Sequence, residues 1–217
     1  MLDQRLATRV ENFVSRLKRE SVCMHGFILD VQGEVKATAY YPPFVEGKAH
    51  RMYSVSKSMT ALAIGLLLDE GKISLDDRIA DYFRDFLPEK PDARLMRLKI
   101  RDMLRMATCY RATVYRETDD DWTKPFFTAE PTHEPGTVFH YDTGCSQVLA
   151  ALVARLTGQQ VMDYLTERVF TPLGANDEKH WLRDPAGTCQ GGTGLCMSLR
   201  DLHKVPRLSL IHISEPT

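Results

Sequence analysis

Leu2, Leu6, Val10, Phe13, Val14 and Leu17 recur at the spacing of one helix face, so the pattern predicts an amphipathic helix over residues 2–20. The period then changes. Residues 22–31 and 35–41 read as two strands, and Gln32-Gly33-Glu34 turns them into a hairpin. Pro42-Pro43 closes the second strand, because proline has no N–H to give a ladder. Helical spacing returns over residues 54–70, around an apolar run at 61–68, and Gly71 supplies the stop. Ser74 is expected to cap a short helix with Asp76 and Asp77 in its first turn, and Asp102 to cap another through Leu104 and Met106. Residues 110–140 are aromatic, acidic and rich in proline and threonine, a long irregular excursion of the kind that walls pockets. Two more helices, 146–156 and 161–170, are divided by Thr157-Gly158, and Gln190-Gly191-Gly192-Thr193-Gly194 makes a turn before a last helical start at Ser198. Helix, hairpin and then mostly helices is an α+β order. A lone hairpin is rarely stable, yet no later strand shows in the pattern.

Composition narrows the class. A chain of 217 residues, 43% hydrophobic and 26% charged, can bury the core of one domain. Its net charge of −1 offers no basic stripe to nucleic acid. The start MLDQRLATRVENF lacks the apolar core of a signal peptide, and the run at 61–68 is too short to span a bilayer. A cytoplasmic protein with no membrane partner is expected. Five cysteines without a Cys-x-x-Cys pair read as reduced thiols. No histidine keeps ligand spacing with them, so no metal is expected, and His133 and His140 read as loop or pocket residues. Asp119-Asp120-Asp121 reads as a solvated loop, since a calcium loop needs alternating ligands and a glycine.

Candidate chemistry lies in Ser-x-x-Lys. Ser15-Arg-Leu-Lys18 falls in mid-helix on the polar face and reads as solvated surface. Ser54-Val-Ser-Lys57 falls where a loop becomes a helix, which sets Lys57 one turn on, on the face of Ser54. A lysine titrating near ~10.4 is a poor base at neutral pH, but burial and the positive end of a helix both disfavour an ammonium. In that setting Lys57 could take the Ser54 proton, and the amides of the helix start could bind an oxyanion. The spacing alone serves equally for a capping serine beside an exposed lysine. Ser56 and Ser58 read as bystanders.

Four segments, in order, resemble the β-lactamase-related serine hydrolases: MYSVSKSMTALAIGLLLDEGKISLDDRIADYF, EPGTVFHYDTGCSQVLAALVARLTGQ at 134–159, TPLGA at 171–175, and GGTGLCMSLRDLHK at 191–204. That group holds class C β-lactamases, penicillin-binding peptidases, esterases and nylon-oligomer hydrolases. The resemblance covers residues 20–205 and implies the β-lactamase/transpeptidase-like fold. It implies Ser54 as the acylated nucleophile and Lys57 as its general base. Tyr141 is implied as the phenol that relays a proton to the leaving group, and the Ser54 backbone amide as one oxyanion donor. It implies no cofactor and a small ester, amide or peptide-like substrate. The alternatives are β-lactam or D-alanyl peptide turnover, or ligand binding without catalysis. The family's Tyr-x-Asn motif reads Tyr141-Asp142-Thr143 here. With Thr143 where an amide would meet a β-lactam's acylamide, the chain resembles the nylon-oligomer hydrolase and esterase branches more, and Thr143 is a candidate substrate contact. Trp122, near Phe126 and Phe127, is a candidate pocket wall and equally a core anchor.

The end of the chain departs from the pattern. Pro206 is expected to break the helix begun at Ser198. One back-translation of LSLIHISEPT (208–217), CTG TCT CTT ATA CAC ATC TCC GAG CCC ACG, matches the mosaic end and adapter of transposon-based sequencing libraries. Residues 206–217 are therefore expected to be a non-native tail. Residues 1–205 are expected to form an incomplete domain, with its sheet part at 1–50 and a mainly helical part at 51–205. The resemblance assigns later strands, a last helix, a third motif (Lys-Thr-Gly or His-x-Gly) and the second oxyanion donor to a portion not found here. The hairpin should then keep an unpaired edge and an exposed apolar face. The 217-residue chain is expected to be poorly soluble and inactive, and the longer gene product active.

Overall fold

The structure, a computed structural model, describes residues 4–213. Its elements are α1 (Gln4–Arg19), β1 (Gly26–Val31), β2 (Glu34–Tyr40), β3 (His50–Arg51), α2 (Val55–Asp69), α3 (Ile79–Tyr82), α4 (Ile100–Leu104), α5 (Pro125–Thr128), α6 (Thr143–Thr157), α7 (Val161–Leu165), β4 (His180–Trp181), β5 (Leu195–Met197) and α8 (Leu199–Ile213). They divide into two compact units. The first holds the described residues of Met1–His50, Phe170–Lys179 and Met197–Thr217, and the second holds Arg51–Val169 and His180–Cys196.

In the first unit, Gln32 and Gly33 both take positive φ, 55° and 78°. That backbone lets a two-residue turn follow the strand twist, and β1 pairs antiparallel with β2 from Gly26↔Tyr40 to Val31↔Glu34. Among the described residues these two strands pair only with each other. Successive strand residues face opposite ways. Gly26 lies against Leu199 and Asp30 meets His203 at 2.9 Å, whereas the Phe27 ring meets Phe13 edge-on at 5.4 Å. So α8 covers one face of the hairpin and α1 the other. The cover is thin: no residue of α1 is buried, and Phe13, Val22, Val31 and Val35 stay exposed. A groove of about 340 Å³ runs between α1 and β1, lined in part by Leu6, Val10, Phe13, Phe27 and Leu29.

Ser198 caps α8 by accepting from the Asp201 N–H at 3.0 Å. Pro206 does not end that helix, contrary to the sequence expectation, and lies inside it. Proline removes one ladder donor. Here His203 and Arg207, on either side of it, both reach Asp30 of β1, at 2.9 and 3.9 Å. Those ties hold the flanking turns in place. Of the expected tail, residues 214–217 lie outside the described residues.

The second unit contains nearly all of the buried apolar residues, and its centre is α2 packed on α6. Ala63, Ile64 and Leu67 of α2 and Val148, Leu152 and Val153 of α6 are buried. Every residue of α6 from Gly144 to Val153 is buried, as in a helix surrounded by others; α4, α5 and α7 also pack on it. Both long helices stop at a left-handed glycine. Gly71 (φ 67°) and Lys72 donate back to Leu68 and Leu67 in a Schellman motif, and Gly158 (φ 70°) ends α6. No helix among the described residues is long and apolar enough to cross a membrane.

Three local expectations change. Ser74 and Asp77 close a turn, in which the Ser74 N–H donates to Asp77 at 2.7 Å, and no helix starts there. Asp102 caps α4 from its third position and not from the residue before it, by accepting from the Lys99 N–H at 3.2 Å. Later strands do exist: besides β3, β4 pairs antiparallel with β5 through His180↔Cys196 and Trp181↔Leu195. Elements of two or three residues are too short to show a period.

Leu67 is 0% exposed and its neighbour Leu68 39%. Leu67→Ala should lower unfolding free energy by about 2–5 kcal/mol, and Leu68→Ala by under about 1 kcal/mol; urea titration of the two variants measures the difference.

Candidate active site

Ser54 is the residue before α2, in helical φ/ψ (−68°, −9°), and its side chain makes no cap bond to the helix. The hydroxyl is therefore not spent on the backbone. The chain reaches it through Tyr53, whose φ of 45° is rare for a residue with a side chain. Val55, Ser56 and Lys57 donate back to Met52, Tyr53 and Ser54, which fixes the first turn. Among the described residues nothing accepts from the Ser54 N–H.

Lys57 comes one turn later, and its Nζ lies 3.3 Å from Ser54 Oγ. The same Nζ donates to the Gly192 carbonyl at 2.8 Å and stands 4.9 Å from the centre of the Tyr141 ring. Tyr141 is 55% exposed. Its phenol is held below the ordinary tyrosine value, chiefly by a hydrogen bond from Ser54; burial pushes the other way, and the hydrogen bond and charge of Lys57 add to the lowering. The Ser54 hydroxyl, the Lys57 amine and the Tyr141 phenol thus share one spot. An amine without its extra proton at the Lys57 position could accept a proton from Ser54, and the Tyr141 phenol stands beside it as a second group able to carry one.

Asp142 anchors the third member. It is fully buried and caps α6 by accepting from the Gly144 N–H at 2.7 Å. Thr113 donates its hydroxyl to the same carboxylate oxygen at 2.6 Å and accepts from the Thr143 N–H at 3.1 Å. Tyr141 and Thr143 flank this clamp. Burial, assisted by the charge of Asp142, pushes the neighbouring Cys145 thiol up to about 12.

The site has parts that the sequence reading passed over. Ser56 is no bystander: it is buried, and its hydroxyl accepts from the Leu195 N–H at 3.0 Å, tying α2 to β5. Gly192 supplies a carbonyl to Lys57, and the glycine-rich run 190–194 was its only signal. A Cβ on Gly192 would sit 2.4 Å from Thr143 Cγ2 and 3.2 Å from Lys57 Nζ; on Gly191 it would sit 2.1 Å from the Ser146 carbonyl. Asp121 is not simply solvated, since it accepts from the N–H groups of Thr123 and Lys124 at the start of α5. Trp122 lies packed in the interior, stacked on Tyr115 with 4.8 Å between ring centres, while Phe126 and Phe127 are buried.

The sequence profile of the β-lactamase family matches residues 25–207. The chain belongs to the β-lactamase family. It is similar to the 6-aminohexanoate-dimer hydrolase of Paenarthrobacter ureafaciens, with 27% identity over 94% of this chain and 56% of that protein. It is also similar to penicillin-binding protein 4 of Amycolatopsis lactamdurans, with 34% identity over 56% of this chain and 33% of that one. Among solved structures, the octameric penicillin-binding protein homologue from Pyrococcus abyssi superposes with a TM-score of 0.70 at 19% identity, over 96% of this chain and 57% of that one. The fold is thus that of the β-lactamase and penicillin-binding proteins, and the chain spans about half the length of such relatives.

Among the tyrosines with a displaced pKa, Tyr141 is the one lowered; burial raises Tyr40, Tyr82, Tyr110, Tyr115 and Tyr164. The first tyrosinate absorbance to appear as pH rises should therefore vanish in Tyr141→Phe and move to higher pH in Lys57→Met. An unchanged first transition in either variant contradicts the geometry. Gly192→Ala should move it too, because the added methyl displaces Thr143 or Lys57.

Proposed function

We propose that the protein is a serine hydrolase that cleaves a small linear ester or amide through an acyl-enzyme. In this reading Lys57 takes the Ser54 proton as Oγ attacks the carbonyl carbon. The Ser54 N–H donates to the oxygen as it becomes negative. Tyr141 then protonates the departing alkoxide or amine and is reprotonated through Lys57; in the second half, water enters along the same proton path and releases the acid. The observation that carries the reading is Lys57 Nζ at 3.3 Å from Ser54 Oγ with the Tyr141 ring 4.9 Å away. The similarity to a protein named 6-aminohexanoate-dimer hydrolase supports a linear amide or ester as substrate. Thr143 in place of an amide side chain disfavours β-lactams.

Removal of one oxyanion donor costs other serine enzymes about 10²–10³ in rate. In this reading the Ser54 amide is one donor and a second is assigned to the missing portion, so acylation is a better probe than turnover. A fluorophosphonate should label the peptide carrying Ser54, and Ser54→Ala should abolish the label. Wild-type chain that is folded by circular dichroism yet unlabelled, or label that survives in the variant, overturns the proposal. p-Nitrophenyl ester hydrolysis by the 217-residue chain should be at background, and that of a chain extended to the length of its relatives should be measurable.

A further inference from the structure

We infer that Gln147 is a positioning residue for Lys57, acting through the Gly191–Gly192 segment. The inference rests on Lys57 serving as the base. Gln147 belongs to the buried run of α6 and is 1% exposed. A primary amide in such surroundings is costly unless both its ends are bonded. They are: Oε1 accepts from the Gly191 N–H at 3.2 Å, and Nε2 donates to Asp184 Oδ2 at 3.1 Å. The partners dictate this orientation. With the amide turned over, its oxygen would face a carboxylate and its NH₂ an N–H.

Asp184 is in turn fixed. It is 5% exposed and accepts from the N–H groups of Trp122 and Thr188, at 3.2 and 2.8 Å. Gly191 is gripped from its other side by Thr60 of α2, whose hydroxyl donates to the Gly191 carbonyl at 2.8 Å. The next carbonyl, Gly192, accepts from Lys57 Nζ. The line from Asp184 through Gln147 to Gly191 and Gly192 therefore sets where that carbonyl stands. That carbonyl and Ser54 Oγ set where the ammonium stands. Four buried polar side chains, Ser56, Thr60, Gln147 and Asp184, serve the placement of residues 191–195, and none touches the reacting atoms.

Gln147→Met keeps the length of the side chain and deletes both bonds. It should slow fluorophosphonate labelling of Ser54 about tenfold, the worth of about one hydrogen bond. It should also move the first tyrosinate transition toward the ordinary tyrosine value, because Lys57 drifts from Tyr141. This second readout needs no reacting serine, so it stands whether or not Ser54 proves to be the nucleophile. Val148→Ala, a cavity variant one residue along α6 with no link to Lys57, should lose stability yet keep both labelling rate and transition. Thr60→Val, which removes the other grip on Gly191 with little change of volume, should move both readouts in the direction of Gln147→Met. If Gln147→Met and Thr60→Val each label and titrate like the wild type, or if Val148→Ala shifts the transition as far as they do, the assignment is wrong.

Discussion

The hydrogen bond from Lys57 Nζ to the Gly192 carbonyl joins positions 135 residues apart and constrains the whole second unit. A lysine stem is long and loses little by wandering. Two acceptors, a carbonyl at 2.8 Å and the Ser54 hydroxyl at 3.3 Å, limit that wandering. For the carbonyl to be there, the turn must lie against the start of α6, closer than any side chain allows. The missing Cβ atoms at positions 191 and 192 are what permit it.

Apolar packing of α2 on α6 supplies cohesion, but it would tolerate small slips of one helix past another. Buried polar groups remove that freedom, because a half-satisfied network in a low dielectric is worse than none. Ser56, Thr60, Gln147 and Asp184 each find specific partners, most of them backbone groups of residues 191–195 or of the loops beside them. The first unit is made differently. Its hairpin is covered by one helix on each face, no residue of α1 is buried, and a hydrogen bond between His203 and Asp30 ties α8 to β1.

Periodicity reported what is local. The helices α1, α2 and α6 and the hairpin are long enough for a repeat to show, and Gly71, Gly158 and Ser198 mark ends through backbone conformation or a cap bond two or three residues away. The errors were of a different kind. Pro206 is a helix breaker on its own and is accommodated because contacts to Asp30 hold the turns beside it. The strands β4 and β5 exist through pairing with partners distant in sequence. Ser56 looked incidental because its partner, Leu195, lies far along the chain.

The candidate site divides along the same line. Ser54 and Lys57 are one helical turn apart, so their shared face follows from the i, i+3 geometry of any helix, and the sequence by itself determined it. Tyr141 could be named only through the family's motifs, since nothing in the residues around it says which helix it will meet. The placement of its phenol beside Lys57, the choice of the Gly192 carbonyl as third partner, and the bracing of that carbonyl from Gln147 were decided only by tertiary structure. They depend on close approach between segments that no local rule relates, and short-range forces fix such an approach only after the core has packed.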